Sequence, residues 1–387
     1  MASVTLPTAD GGTESYRTSP PRDFPTRQNR PFSRIAFAAA HVVADPLADN
    51  DPWLDATVDW DATIAYRKRL WDLKLGVAEA MDTAQRGMGL DWTGALELIR
   101  RSVDAARDHP GAVVFSGAGT DHLAPAPGLS VDDVVAAYEH QVGAIEAAGG
   151  RLILMASRAL AACARGPDDY AAVYRRVLTQ VKEPVIIHWL GEMFDPALAG
   201  YWGSPDHEKA METCLAVLEE NAAKVDGIKI SLLSKEKEIA MRRRLPAGVR
   251  MYTGDDFNYA ELIDGDEEGH SDALLGIFDA IAPAASAALA ALAADDRPGF
   301  HEILAPTVPL SRHIFRAPTR FYKTGIVFLA FLNGHQDHFT MVGGQESARS
   351  TLHLADLFRL ADHAGLIRDP DLACRRMAAV MATRGVA

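Results

Sequence analysis

Three observations make the sequence predict a (β/α)8 barrel. Short apolar runs of strand length recur eight times between residues 34 and 278. Longer stretches with apolar residues at helical spacing separate them. Polar and ionisable residues follow the apolar runs directly, which is where such a barrel carries its function. An open doubly wound sheet is the alternative topology. No GxGxxG follows the first run, so the dinucleotide-binding form of that sheet lacks its main signature.

The expected strands are 34–41, 75–81, 112–116, 152–156, 184–188, 227–231, 249–253 and 272–278. Most are continuous runs of Val, Ile, Leu and Ala, as parallel strands covered on both faces require. Between them, Ser130 is a good N-cap for the helix that opens Val131-Asp132-Asp133-Val134. Residues 170–181 and 207–223 show helical spacing, and 280–294 is alanine-rich and helix-prone. The residues after the eighth strand are too many for one closing helix, and 321–332 and 347–364 read as helices of a C-terminal extension. The expected division is an N-terminal arm over 1–30, the barrel over 31–290 and the extension over 291–387. The arm is rich in Thr, Pro, Arg, Asp and Gly and is expected to be extended or disordered.

Composition narrows the function classes. The chain has 387 residues, 48% hydrophobic, with a formal net charge of −13. Its one dense basic cluster is Arg242-Arg243-Arg244, which reads as a solvated helix face, so a nucleic-acid partner is not expected. No apolar run approaches the roughly 20 residues that span a bilayer, so no membrane partner is expected either. The three cysteines, Cys163, Cys214 and Cys374, form no CxxC pair. No signal peptide is visible, and a reducing cytoplasm fits.

The chemistry centres on Lys229, near the end of Val225-Asp226-Gly227-Ile228-Lys229-Ile230-Ser231. A lysine in a strand buried on both faces must pair its charge or lose it. Desolvation favours the neutral amine, the form a Schiff-base nucleophile needs. The plainer reading has the side chain pointing past the strand end into water. Other strand ends deliver His41, Glu79, Asp82, Thr83, Gln85, His122, His188, Glu192, Ser231, Asp255 and Asp256. Each has a structural alternative: a core histidine for His41, capping or turn acids for Asp82 and Asp255-Asp256. His335, Asp337 and His338 lie outside the strand series and read as a loop.

Pro184-Val185-Ile186-Ile187-His188, then Val225-Asp226-Gly227-Ile228-Lys229, then Tyr252-Thr253-Gly254-Asp255-Asp256 resembles the dihydrodipicolinate synthase / N-acetylneuraminate lyase family of class I aldolase-type barrels. The resemblance covers roughly residues 34–290 and points to a divergent branch. It implies that Lys229 forms the Schiff base and that Gly254, Asp255 and Asp256 line the pocket beside it. Where the family carries a proton-relaying tyrosine this chain has His188, which can do acid–base work near neutral pH. Where the family has Gly-Thr-Thr-Gly-Glu this chain has Met81-Asp82-Thr83-Ala84-Gln85, and Glu192 stands in place of an arginine. These changes predict an acidic pocket, with Asp82, Thr83, Gln85, Glu192, Ser231, Asp255 and Asp256 around the substrate. The expected activity is carbon–carbon bond lysis on a small carbonyl compound, a sugar-derived ketone or a keto acid, with no cofactor. The family also implies a homo-oligomer, a dimer or a tetramer. Two other functions stay open. One is a metal-dependent barrel enzyme (hydrolase, isomerase or class II-type aldolase) with His41, Glu79, His122 and His188 as ligands of a divalent metal. The other is a non-catalytic relative that binds a small molecule.

Overall fold

The computed structural model describes residues 2–25, 31–81, 85–126 and 128–386. It opens with an antiparallel hairpin of β1 (Ser3–Pro7) and β2 (Thr13–Arg17). The arm, expected to be extended or disordered, forms an ordered extended hairpin over these residues. Val4 and Leu6 turn inward while Ser3 and Thr5 stay exposed, and Gly11 takes the left-handed conformation (φ 86°) in the connecting turn. Side-chain bonds tie the hairpin down. Tyr16 Oη donates to Asp362 at 2.8 Å, and Arg359 Nη2 donates to Glu14 at 2.6 Å. Both partners lie on the helix Thr351–His363.

All eight expected strands form, and they close into one parallel barrel. They are β3 (Ala36–Ala38), β4 (Gly76–Glu79), β5 (Val114–Ala118), β6 (Arg151–Leu154), β7 (Val185–Leu190), β8 (Val225–Ser231), β9 (Arg250–Thr253) and β10 (Asp272–Leu275). Strand β10 pairs with β3 to seal the cylinder. Helices at the expected positions wrap it: Val131–Ala147, Pro167–Gln180, His207–Glu220 and Ala282–Ala293. The Ser130 cap forms as a full capping box with Asp133.

The barrel interior is layered. Near the N-terminal ends of the strands, Phe37, Phe115, Ile153, Ile186, Tyr252 and Leu274 make an apolar plug. Gly227 leaves room for it, since a Cβ there would come within 2.6 Å of the Tyr252 ring. Two residues further along β7, β8 and the chain after β9, the same inward face presents His188, Lys229 and Gly254.

The C-terminal extension is helical, as expected, with helices Arg297–Leu304, Thr307–Ile314, Tyr322–Leu332, Thr351–His363 and Pro370–Thr383. It does more than cover the barrel, because Ser311 donates to the carbonyl of Asp256 and Lys323 reaches the carbonyl of Ala39 at the end of β3. Among the described residues no helix is long and apolar enough to cross a membrane.

Candidate active site

Strand register sets the first part of the site. Lys229 lies between His188 on β7 and Tyr252 on β9 in the hydrogen-bonded rows. It is 7% exposed. Its stem runs across Gly254, where a Cβ would stand 2.8 Å from Lys229 Cε and 2.2 Å from Ser231 Oγ. Only glycine lets the lysine and the serine share that space. The contact settles the direction of the side chain: Lys229 faces the barrel interior, not the solvent beyond the strand. His188 is also buried, and its Nε2 lies 3.2 Å from Ser231 Oγ.

The turn after β9 separates its two acids. Asp255 folds back on itself. Oδ1 accepts from the backbone N–H groups of Phe257 and Asn258, and Oδ2 accepts from the Asn258 amide. That carboxylate caps its own turn and is not presented as a holder of substrate hydroxyls. Asp256 is 4% exposed, and its Oδ1 accepts from Ile277 N–H at 2.8 Å. Burial raises its pKa above the usual carboxylate range, while the Ile277 bond and the ammonium groups of Lys229 and Lys323 pull the other way. Asp256 is therefore the acid that senses both lysines.

A buried network completes the arc from β10 to β3. Asp279 receives the His41 backbone N–H at 2.7 Å and faces His41 Nδ1 at 3.0 Å. The other ring nitrogen, Nε2, lies 3.2 Å from Gln336 Oε1, and the Gln336 amide nitrogen is committed to the His338 carbonyl. Both ring nitrogens thus face acceptors. Lys323, 2% exposed, donates to Ala39 O at 2.7 Å and to Asp279 Oδ2 at 3.2 Å. Burial opposes the charge on Asp279, but His41 and Lys323 outweigh it and hold the carboxyl well below its ordinary range. Burial likewise pushes the Lys323 ammonium down, and Asp279 supports it.

The remaining expected residues are placed less centrally. Gln85 donates its amide to Ala40 O, and its own oxygen has no hydrogen-bond partner among the described residues. Glu192 lies 3.2 Å from His207 of the helix His207–Glu220. Asp82 and Thr83 lie outside the described residues. The four metal-ligand candidates do not converge. His41 belongs to the Asp279 network, and Glu79 faces away from the barrel interior in a bidentate pair with Arg67. His122 is exposed beside Gln141, and His188 stays with Ser231. Among the described residues no three His, Cys, Asp or Glu side chains gather into a metal-holding group.

Lys323 and Asp279 were missed by sequence reasoning. The signal for Lys323 was present: it is the lone charge in Tyr322-Lys323-Thr324-Gly325-Ile326-Val327-Phe328-Leu329, the same pattern that singles out Lys229. The arc around Lys229 holds Asp256 and Asp279 together with a second lysine, Lys323, which the expectation of an acidic pocket did not include. A cleft of about 500 Å3 opens at this end of the barrel, between its loops and the extension, with Arg158 and Arg320 among its walls.

A lysine-bearing (β/α)8 barrel with its interior amine on the sixth barrel strand is the class that fold and site define. The chain belongs to the family described as protein of unknown function (DUF993), which it matches over residues 4–386. No curated protein matches the sequence. Solved structures do. Dihydrodipicolinate synthase from Aquifex aeolicus is 13% identical with a TM-score of 0.64, covering 86% of this chain and 99% of its own. The chloride-inhibited dihydrodipicolinate synthase of Acinetobacter baumannii, complexed with pyruvate, is 14% identical with a TM-score of 0.63 and the same coverage. A prophage protein of the dihydrodipicolinic acid synthase family from E. coli K12, also in complex with pyruvate, is 13% identical with a TM-score of 0.64. The shared property is the fold, and the chain is a divergent form of it.

Proposed function

We propose that the protein is a class I aldolase or lyase in which Lys229 forms a Schiff base with a small carbonyl substrate. The observation that carries this reading is the inward, buried position of Lys229 beside His188 and over Gly254. The amine attacks the carbonyl carbon and the carbinolamine loses water. The resulting iminium takes up the electron pair of the Cα–Cβ bond as an enamine while the β-hydroxyl gives up its proton and departs as a carbonyl. Protonation of the enamine at Cα followed by hydrolysis of the imine frees Lys229. His188, bonded to Ser231, is the group best placed to move the protons, and Asp256 is a buried acid in electrostatic reach of the lysine. No cofactor is part of this scheme.

Lys323 sharpens the substrate class. A second buried ammonium favours a substrate that carries a carboxylate over a neutral sugar-derived ketone. The two solved relatives that hold pyruvate are consistent with a keto acid. A cytoplasmic homo-oligomer, dimer or tetramer, belongs to the same proposal. Leu47, Trp53 and Leu54, all at least 80% exposed on the loop after β3, are apolar surface such an assembly would cover.

The test is reduction by borohydride in the presence of pyruvate, longer keto acids, dihydroxyacetone-like ketones and keto sugars, followed by intact mass and peptide mapping. The expected result is one adduct on Lys229, strongest with a keto acid. An adduct mapped to Lys323, or none across the panel, would sink the assignment.

A further inference from the structure

A separate cavity of about 260 Å3 lies between the N-terminal arm, the helix Trp60–Asp72 and the extension. Its walls include Arg22, Arg69, His335 and Arg368, with Leu366 and Pro283 on the apolar side. Acidic residues outnumber Lys and Arg by 52 to 39, and many arginines elsewhere find carboxylates, as Arg67 does with Glu79, Arg86 with Asp121, Arg359 with Glu14 and Arg376 with Asp337, while others such as Arg349 and Arg384 bond backbone carbonyls. The side chains of Arg69 and Arg368 have no hydrogen bond or ion pair among the described residues. Arg22 makes a loose pair with the Glu302 carboxylate at 3.6 Å, donates to the Glu302 carbonyl at 3.5 Å and lies over the Phe24 ring. Among the described lining residues Asp23 alone carries a carboxylate, and it is exposed.

Three guanidinium groups therefore face one void against the single carboxylate of Asp23 on its wall, and each raises the cost of the others. Burial, then Arg69 and Arg368, push the His335 ring down to about 3, so the imidazole stays neutral between them. The walls are fixed. Gly365 adopts φ 71°, and a Cβ there would meet Arg22 Cβ at 2.5 Å, so the arm is seated directly on this turn. His335 is held by its ring contact with Tyr66 at 5.6 Å.

We propose that this cavity is a binding site for a small oxyanion, a phosphorylated or polycarboxylate metabolite, held by the guanidinium groups of Arg69 and Arg368 with Arg22 closing the entrance. Guanidinium forks match the oxygens of phosphate and carboxylate groups. The volume admits a phosphate with a small organic body, since one water takes about 30 Å3 of liquid. The site stands apart from Lys229 and does not depend on the Schiff-base reading.

Titration calorimetry of the full-length protein with inorganic phosphate and with citrate, at matched ionic strength, tests it. Saturable binding of at least one anion is expected, and the anion that binds distinguishes a phosphoryl from a carboxylate ligand. Arg69→Gln and Arg368→Gln should each weaken binding at least tenfold. Arg368 is exposed, so its loss leaves folding intact. Lys229→Ala should bind as the wild type does, which separates this site from the barrel mouth. Absence of saturable binding by both anions, or unchanged affinity in both arginine variants, overturns the proposal.

Discussion

The two ends of the barrel interior are built on opposite principles. At the N-terminal end, Phe37 and Phe115 meet edge to face with centroids 5.3 Å apart, and Ile153, Ile186 and Leu274 fill the rest. At the C-terminal end, one layer up, the chain buries Lys229, Asp256, Asp279, His41 and Lys323 within one arc. Apolar packing repays the entropy of folding directly. Buried charges repay their desolvation only through well-placed partners, so such an arc is weak evidence for stability and strong evidence for chemistry. The difference assigns stability to one end of the interior and function to the other.

The largest effect should come from breaking the functional end. Lys229→Arg keeps a cation on β8 but cannot form an imine, so the borohydride-trapped adduct should fall at least 1,000-fold while the thermal midpoint stays close to wild type. Trapping that persists in this variant would remove Lys229 from its role. The mirror experiment is Phe115→Ala in the apolar plug. It should cost about 3–5 kcal/mol of stability. Its trapping per folded molecule should match wild type below the unfolding transition, as judged by mass spectrometry at low temperature. A collapse of trapping in a folded Phe115→Ala protein would dissolve the division between the two ends.

Lys323→Met tests the finer claim that the extension contributes to the mouth. The expected change is a 10- to 100-fold rise in the keto-acid concentration needed for half-maximal trapping, about 1.4–2.8 kcal/mol, with neutral ketones little affected. Equal losses for both substrate types would make Lys323 a structural tie to Asp279 and not a substrate contact.

The eight strands were legible because buried parallel strands are apolar on both faces and announce themselves as runs. Lys229 was legible because a lone lysine breaks such a run. Lys323 breaks one too, but on a helix outside the strand series, and only the closed fold brings it to Ala39. Asp255 and Asp256 look alike in sequence. Their fates differ because the turn after β9 spends one carboxylate on its own N–H groups and aims the other at Ile277. The N-terminal hairpin was hidden by polar composition. Its signal was the Asp10-Gly11-Gly12 turn between alternating residues, which outweighed composition once Tyr16 and Glu14 found partners on a distant helix.

The smallest effect concerns a buried acid handled in yet another way. Glu238, on the helix Lys235–Arg242, is 1% exposed and accepts from Thr253 Oγ1 at 2.9 Å and Ser271 Oγ at 2.7 Å. Asp279 keeps its charge because cations surround it. Glu238 has hydroxyls as its bonded partners, and burial pushes its pKa up to about 8 from 4.5 despite them. Between those two values the folded protein holds a proton that the unfolded chain has released. Stability from this group is therefore fully present below about pH 4.5 and is lost as pH rises through about 8. The slope reaches about 1.4 kcal/mol per pH unit. Glu238→Gln keeps the shape and cannot ionise, so its urea-unfolding free energy should vary less between pH 5 and pH 8 than that of the wild type. It should also be the more stable of the two at pH 9. Parallel pH profiles for the two proteins would mean that Glu238 is ionised in the folded barrel, and that its hydroxyl partners suffice to hold a buried charge.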